Sequence, residues 1–195
     1  MTETNASREV GRTVLAAGKI AVLQRIDWVD PAGRARVWEA MDRVSGLGAV
    51  AIVARLMPSE RLVLVRQYRP PARGTVIEFP AGVLDPGETP EVAAIRELRE
   101  ETGYVGTLRR VLPKTFTSPG MSGETISLVF ADIDEADPAN RSPVPCPDDG
   151  EFIETILVPL SDPWAFVEGM VARGERFDGR VMAFFSGLAG DGAAP

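Results

Sequence analysis

The stretch GVLDPGETPEVAAIRELREETGY, residues 82–104, constrains the chain most. Its second half reads as a helix. Thr89 is placed to cap it, Pro90 falls at the first helical position, where its missing N–H is harmless, and Gly103 supplies a stop. Within two turns stand Glu97, Glu100 and Glu101, like charges at i, i+3 and i, i+4 spacing. At about 100° per residue, with Glu97 at zero, Glu101 lies near about 40° and Glu100 near about 300°. Val92, Ile95 and Leu98 lie near about 220°, 160° and 100°. That pattern predicts an apolar stripe packed on a sheet, with three carboxylates pointing away from it into a cleft.

A solvated acidic face is the plainer reading, since such neighbours repel by only about 0.2–0.5 kcal/mol per pair in water. The flanking residues argue for more. Arg96 stands four residues before Glu100 and within reach of Glu88, so it can tie the preceding loop to the helix. A divalent cation would convert the repulsion into a binding site. Composition agrees: the chain has no histidine, which removes histidine bases, Ser-His-Asp triads and His-ligated zinc or iron. If the chain is an enzyme, carboxylates do the work, and carboxylates acting together suit hard cations such as Mg²⁺ or Mn²⁺.

The net charge of -7 argues against a nucleic-acid surface. No apolar run approaches a membrane span, and residues 1–9 lack the apolar core of a signal peptide. The single cysteine, Cys146, has no partner for an internal disulfide, so a cytoplasmic location is expected.

Coarse patterning gives strands over 19–30 and 35–44 joined by the turn DPAG, then over 48–56, 61–69, 75–82, 124–133 and 151–160. Helices are expected over 90–102, 162–174 and 178–190. Residues 134–150 read as a polar, proline-rich connector. The order predicts an α/β (α+β) domain with a mixed sheet. Its expected parts are a flexible arm (1–15), an N-terminal β-hairpin region (16–45), the main domain (46–188) and a tail (189–195).

The segment resembles the Nudix box at every defining position: Gly82, five residues, Glu88, seven residues, then RELREETGY. The resemblance implies an α/β/α sandwich and hydrolysis of a nucleoside diphosphate linked to another moiety, with Mg²⁺, or Mn²⁺ as the alternative. It implies Glu97, Glu100, Glu101 and the Ala81 carbonyl as metal ligands. Gly82, Glu88, Arg96 and Gly103 would hold the box in shape.

Flanking residues resemble the ADP-ribose and ADP-sugar pyrophosphatases within that family: VRQYRPPARGTVIEFPAG before the box, SPGM at 118–121 and DDGEFIE at 148–154. This likeness implies that Trp28 and Trp38 stack an adenine, that Glu39 hydrogen-bonds it, and that Arg43 and Arg69 meet the phosphates or terminal sugar. The Gly120–Met121 backbone would approach the sugar. It also implies a homodimer, domain-swapped through the N-terminal hairpin. Two glutamates compete to assist the attacking water, Glu151 first and Glu124 second, with Glu100 as a further catalytic candidate. Other expected substrates are GDP- or UDP-sugars and oxidised nucleotides. A non-catalytic nucleotide-sugar sensor is the reading from another class.

Overall fold

The structure, a computed structural model, describes residues 6–189. Nearly every apolar run bounded by turn residues becomes a strand. In chain order these are β1 (Arg8–Ala17), β2 (Ala21–Val29), β3 (Ala35–Arg43), β4 (Ala49–Met57), β5 (Arg61–Arg69), β6 (Gly74–Glu78), β7 (Ala81–Val83), β8 (Thr107–Val111), β9 (Thr115–Phe116), β10 (Thr125–Asp134), β11 (Ile153–Pro159) and β12 (Arg176–Phe177). The helices are α1 (Pro90–Thr102), α2 (Pro163–Val171) and α3 (Gly179–Ala189). The chain divides into two compact units, residues up to Ala49 with Lys114–Ile126, and Val50–Pro113 with the residues from Ser127 onward.

The first unit is built on an antiparallel sheet in the order β1-β2-β3. Asp30 closes the β2–β3 turn by accepting from the Ala32 and Arg34 amides, and Gly33 takes the left-handed conformation that the turn needs. The segment after β9 runs beside β3: the Met41 amide donates to the Met121 carbonyl, and Asp42 accepts from the Gly123 amide. The expected flexible arm over 1–15 is corrected here, because Arg8 onward is strand, paired along β2 from Arg8↔Val29 to Ala17↔Val22. The expected hairpin is thus a three-stranded sheet. Residues 1–5, and 190–195 of the expected tail, lie outside the described residues.

In the second unit the sheet runs β12-β6-β5-β4-β10-β8, with β11 along β5 and β7 on β4. It is mixed: β12 is parallel to β6, while β5 is antiparallel to β4, β6 and β11. Val50, Ile52, Ala54 and Leu56 alternate along β4 and form one core with Val63, Val129, Ala131 and Ile133 beneath α1. Ala51 and Val53, equally buried, take the other face of the strand. α3 contributes buried Val181 and Phe185, and its Phe184 meets Phe79 edge-to-face at 5.8 Å.

The helix wheel needs a second correction. α1 buries Ala93, Ala94, Leu98, Glu101 and Thr102, whereas Val92 and Ile95 are 56% and 46% exposed. Two alanines let the helix approach the sheet closely, so the buried stripe centres on them and Leu98. That rotation takes Glu101 inside. Val92 and Ile95 instead line a groove with Val144, Cys146 and Pro147 of the connector. The connector is pinned at two points. Asn140 exchanges hydrogen bonds with the Val105 backbone, and the Cys146 amide donates to the Glu100 carbonyl at 2.8 Å.

Candidate active site

The start and stop of α1 are those its sequence specifies. Thr89 accepts from the Val92 amide, and Gly103, at φ 75°, donates its amide to the Arg99 carbonyl. A Cβ on Gly103 would also lie 2.4 Å from the Val144 nitrogen, so glycine serves both the turn and the close passage of the connector.

Arg96 organises the acids. Its Nε and Nη2 form a two-pronged contact with Glu88 at 3.0 and 2.8 Å, and Nη2 also reaches the Val83 carbonyl at 3.3 Å. Its Nη1 donates to Glu97 at 2.7 Å and to Glu100 at 3.1 Å. Glu88 in turn accepts from the Asp85 amide, which closes the loop before the helix. One guanidinium therefore fixes the loop, the helix and the orientation of two acids. Its hydrogen bonds raise the Arg96 pKa and hold the Glu88 carboxyl below its ordinary range.

Glu97 and Glu101 behave in the opposite way. Glu101 is 3% exposed, and burial pushes its pKa up to about 8, although the Ala81 amide donates to Oε2 at 3.0 Å and pulls the other way. Burial also raises Glu97, partly offset by Arg96. The charge of Glu151 pushes both carboxyls further up, and Glu78 adds to the effect on Glu101. Among the described residues no three acids already converge as a ready-made metal cluster. Glu97 and Glu100 each spend an oxygen on Arg96. Even so, an all-oxygen donor set around a buried carboxylate short of positive charge fits a hard divalent cation. Glu97, Glu100, Glu101 and the Ala81 carbonyl are the groups that could hold it.

Glu151 closes a turn with Asp148, accepting from its amide at 3.3 Å and donating its own amide to the Asp148 carbonyl. Gly150, at φ 88°, makes that turn possible. The Glu151 side chain is exposed, yet its charge is felt at Glu97 and Glu101.

Sequence reasoning missed Glu78. This carboxylate is 5% exposed on β6 and accepts from Arg69 Nε at 2.7 Å, which fixes the plane of that guanidinium. The only signal was an acid in the middle of an otherwise apolar strand, TVIEF.

In the first unit, Trp28 pairs with Arg36 and Ile26 with Trp38 across β2 and β3. Cross-strand register therefore sets both tryptophans on one face as diagonal neighbours. Trp38 donates its indole N–H to the Gly120 carbonyl at 3.1 Å. Glu39 and Arg43 fall on the alternate face. Arg43 Nε donates to Glu124 Oε1, so that glutamate is already paired with a cation, which among the described residues Glu151 is not. Met121 is exposed.

Residues 47–177 match the family profile of the NUDIX domain. The chain is 36% identical over 156 residues to the ADP-sugar pyrophosphatase of Mus musculus, covering 76% of this chain and 72% of that protein. It is 36% identical over 177 residues to the ADP-ribose pyrophosphatase of Saccharomyces cerevisiae, with 85% and 75% covered. It is 33% identical over 161 residues to the Bacillus subtilis protein of the same name, with 83% of each covered. A crystal structure titled ADP compounds hydrolase superposes over 86% of each chain with a TM-score of 0.68 at 24% identity, a likeness of fold. With the box built as its spacing requires and the matches extending over most of the chain, this protein belongs to the NUDIX family of hydrolases.

Proposed function

We propose that the chain hydrolyses the diphosphate bond of ADP-ribose or related ADP-sugars, using Mg²⁺ with Mn²⁺ as the alternative, to give AMP and a sugar phosphate. Hydrolases of this family generally use a divalent metal. The observation that carries the reading is the Arg96-centred set of acids around buried Glu101. Relatives named for ADP-ribose and ADP-sugars support the substrate class. A pure sensor has no use for every one of these carboxylates.

The substrate is an anion and so is the protein. A metal held by Glu97, Glu100, Glu101 and the Ala81 carbonyl would neutralise the diphosphate and acidify the attacking water. Glu151, whose charge is felt at Glu97 and Glu101, takes the proton of that water; Glu124, tied to Arg43, is the weaker candidate. The water oxygen bonds to phosphorus as the bridging P–O bond breaks, and the departing phosphate keeps the bridging oxygen. Arg69, oriented by Glu78, offers its outer N–H groups to phosphoryl oxygens. Trp28 and Trp38, contributed by different subunits of a swapped dimer, stack the adenine, with Glu39, Arg43, Gly120 and Met121 as further substrate contacts.

A homodimer, swapped through the N-terminal sheet, is part of the reading. Leu23, Val37 and Met41 project from one face of that sheet and are all exposed. Light scattering of a purified sample tests it. A cytoplasmic location fits the lone exposed Cys146. Among the described residues no helix is long and apolar enough to cross a membrane.

The substrate reading is tested by kcat/KM for ADP-ribose, other ADP-sugars, GDP-mannose and UDP-glucose with Mg²⁺. ADP-ribose is expected to lead. If GDP-mannose or UDP-glucose exceeds it, the base assignment is wrong.

A further inference from the structure

Arg69 has a neighbour that the reading above does not use. On β6, Gly74 pairs with Arg69 of β5, Val76 with Gln67 and Glu78 with Val65, while Arg176 of β12 pairs with Val76. Residues opposite one another share a face, and alternate residues of one strand share a face. Arg176, Gly74, Arg69 and Glu78 therefore all belong to the same side of the sheet. That side is the α1 side, because Val63, two strand periods from Gln67, packs in the core beneath the helix.

On that face the Arg176 guanidinium stands directly over Gly74. A Cβ built on Gly74 would lie 1.5 Å from Nη1 and 2.8 Å from Cζ. Only a residue without a side chain leaves this place open, and Gly74 does not need a left-handed turn. Glycine at this position leaves room for the guanidinium where it stands. Arg176 thus covers Gly74, the residue that pairs with Arg69 across β5 and β6. Arg69 is paired through Nε to Glu78, which leaves its outer nitrogens available. Among the described residues Arg176 has no carboxylate partner, although the nearby Arg66 and Arg180 are paired with Glu175 and Asp178. An exposed arginine without an acidic partner among the described residues, on the face that also carries Arg69, is a poor stabilising device. It is a good oxyanion fork.

We propose that Arg176, seated on Gly74, is a second guanidinium of the phosphate-binding site beside Arg69, and that it recognises the sugar-phosphate half of a nucleoside-diphosphate sugar. The assignment rests on the proposed function and deepens it. It makes Arg176 a specificity determinant: the nucleoside half gains nothing from it, whereas the phosphoryl group on the sugar side does.

Two measurements test this. In EDTA, where turnover is blocked, calorimetry gives the affinities of ADP-ribose and AMP for the wild type, Arg176→Lys, Arg176→Ala and Gly74→Ala. Arg176→Ala is expected to weaken ADP-ribose by roughly tenfold and leave AMP nearly unchanged. Arg176→Lys should recover part of the loss. Gly74→Ala should resemble Arg176→Ala, since it displaces the guanidinium and removes no charge. With Mg²⁺, product inhibition by ribose 5-phosphate should weaken in Arg176→Ala while inhibition by AMP does not. Equal weakening of AMP and ADP-ribose, or unchanged affinity for both, overturns the assignment. A wild type that binds ADP-ribose but hydrolyses no nucleotide sugar would sink the proposed function alone, because the binding comparison still decides the role of Arg176.

Discussion

The Glu97 carboxylate lies over the backbone of Gly82, so near that a Cβ there would sit 1.8 Å from Oε1 and 2.0 Å from Cδ. A side chain at position 82 is therefore incompatible with Glu97 where Arg96 holds it. Gly82→Ala should lower kcat by about 100-fold, the scale of a roughly 1 Å misplacement in an active site. Steady-state kinetics checks this, and near-normal kcat would show that Glu97 works from another position.

The Glu88 side chain is mostly covered, and among the described residues Arg96 is the one cation paired with it. Arg96→Ala would leave that charge uncompensated and should destabilise the fold by about 3 kcal/mol. Chemical denaturation at neutral pH measures the loss. The double variant Arg96→Ala with Glu88→Gln should recover a good part of it, and no recovery would mean that the arginine stabilises through other contacts.

The raised carboxyls give a pH dependence of definite sign. Burial pushes the Glu101 pKa up to about 8 from an ordinary 4.5 and shifts Glu97 the same way. Between those values the folded state holds protons more tightly than the unfolded chain does. Stability of the metal-free protein must then fall as pH rises from about 5 to 8. Tm measured in EDTA across that range should decrease, and Mg²⁺ should restore most of it at the alkaline end. Glu101→Gln should flatten the metal-free profile and, by removing a proposed metal ligand, cost activity on the order of 10³-fold or more. A metal-free Tm that climbs towards pH 8 contradicts this picture of Glu101.

Glu151→Gln should lower kcat far more than Glu124→Gln, since Glu124 is already bound to Arg43. The opposite ranking would transfer the role to Glu124. Trp38→Ala should raise KM for ADP-ribose by about 10-fold, the scale of one stacked base, with Trp38→Phe less affected.

The box was legible because its chemistry fixes spacing. Thr89, Pro90 and Gly103 mark a helix whatever lies around it, and Arg96 reaches Glu100 by helical geometry alone. The buried face of α1 was not legible in the same way. Large apolar residues pointed to Val92 and Ile95, but close packing favoured Ala93 and Ala94, and Glu101 went inside with them. β1 escaped notice because irregularities between Glu9 and Gly11 and between Val14 and Ala16 break the alternation by which a strand is recognised. Arg176 depends on register between β12 and β6, strands distant in sequence, which no local pattern carries.

The hydrogen bond from the Cys146 amide to the Glu100 carbonyl has a consequence for timing as well as for shape. Cys146 is fastened to the acid-bearing helix, and Ile153 is fastened in β11 beside β5. Only residues 147–152 run between those moorings, at most about 20 Å of chain. Glu151 is therefore a group on a short tether. In the role proposed for Glu151, a loop this short would move aside for a diphosphate and return within nanoseconds to microseconds, so its approach would not limit turnover.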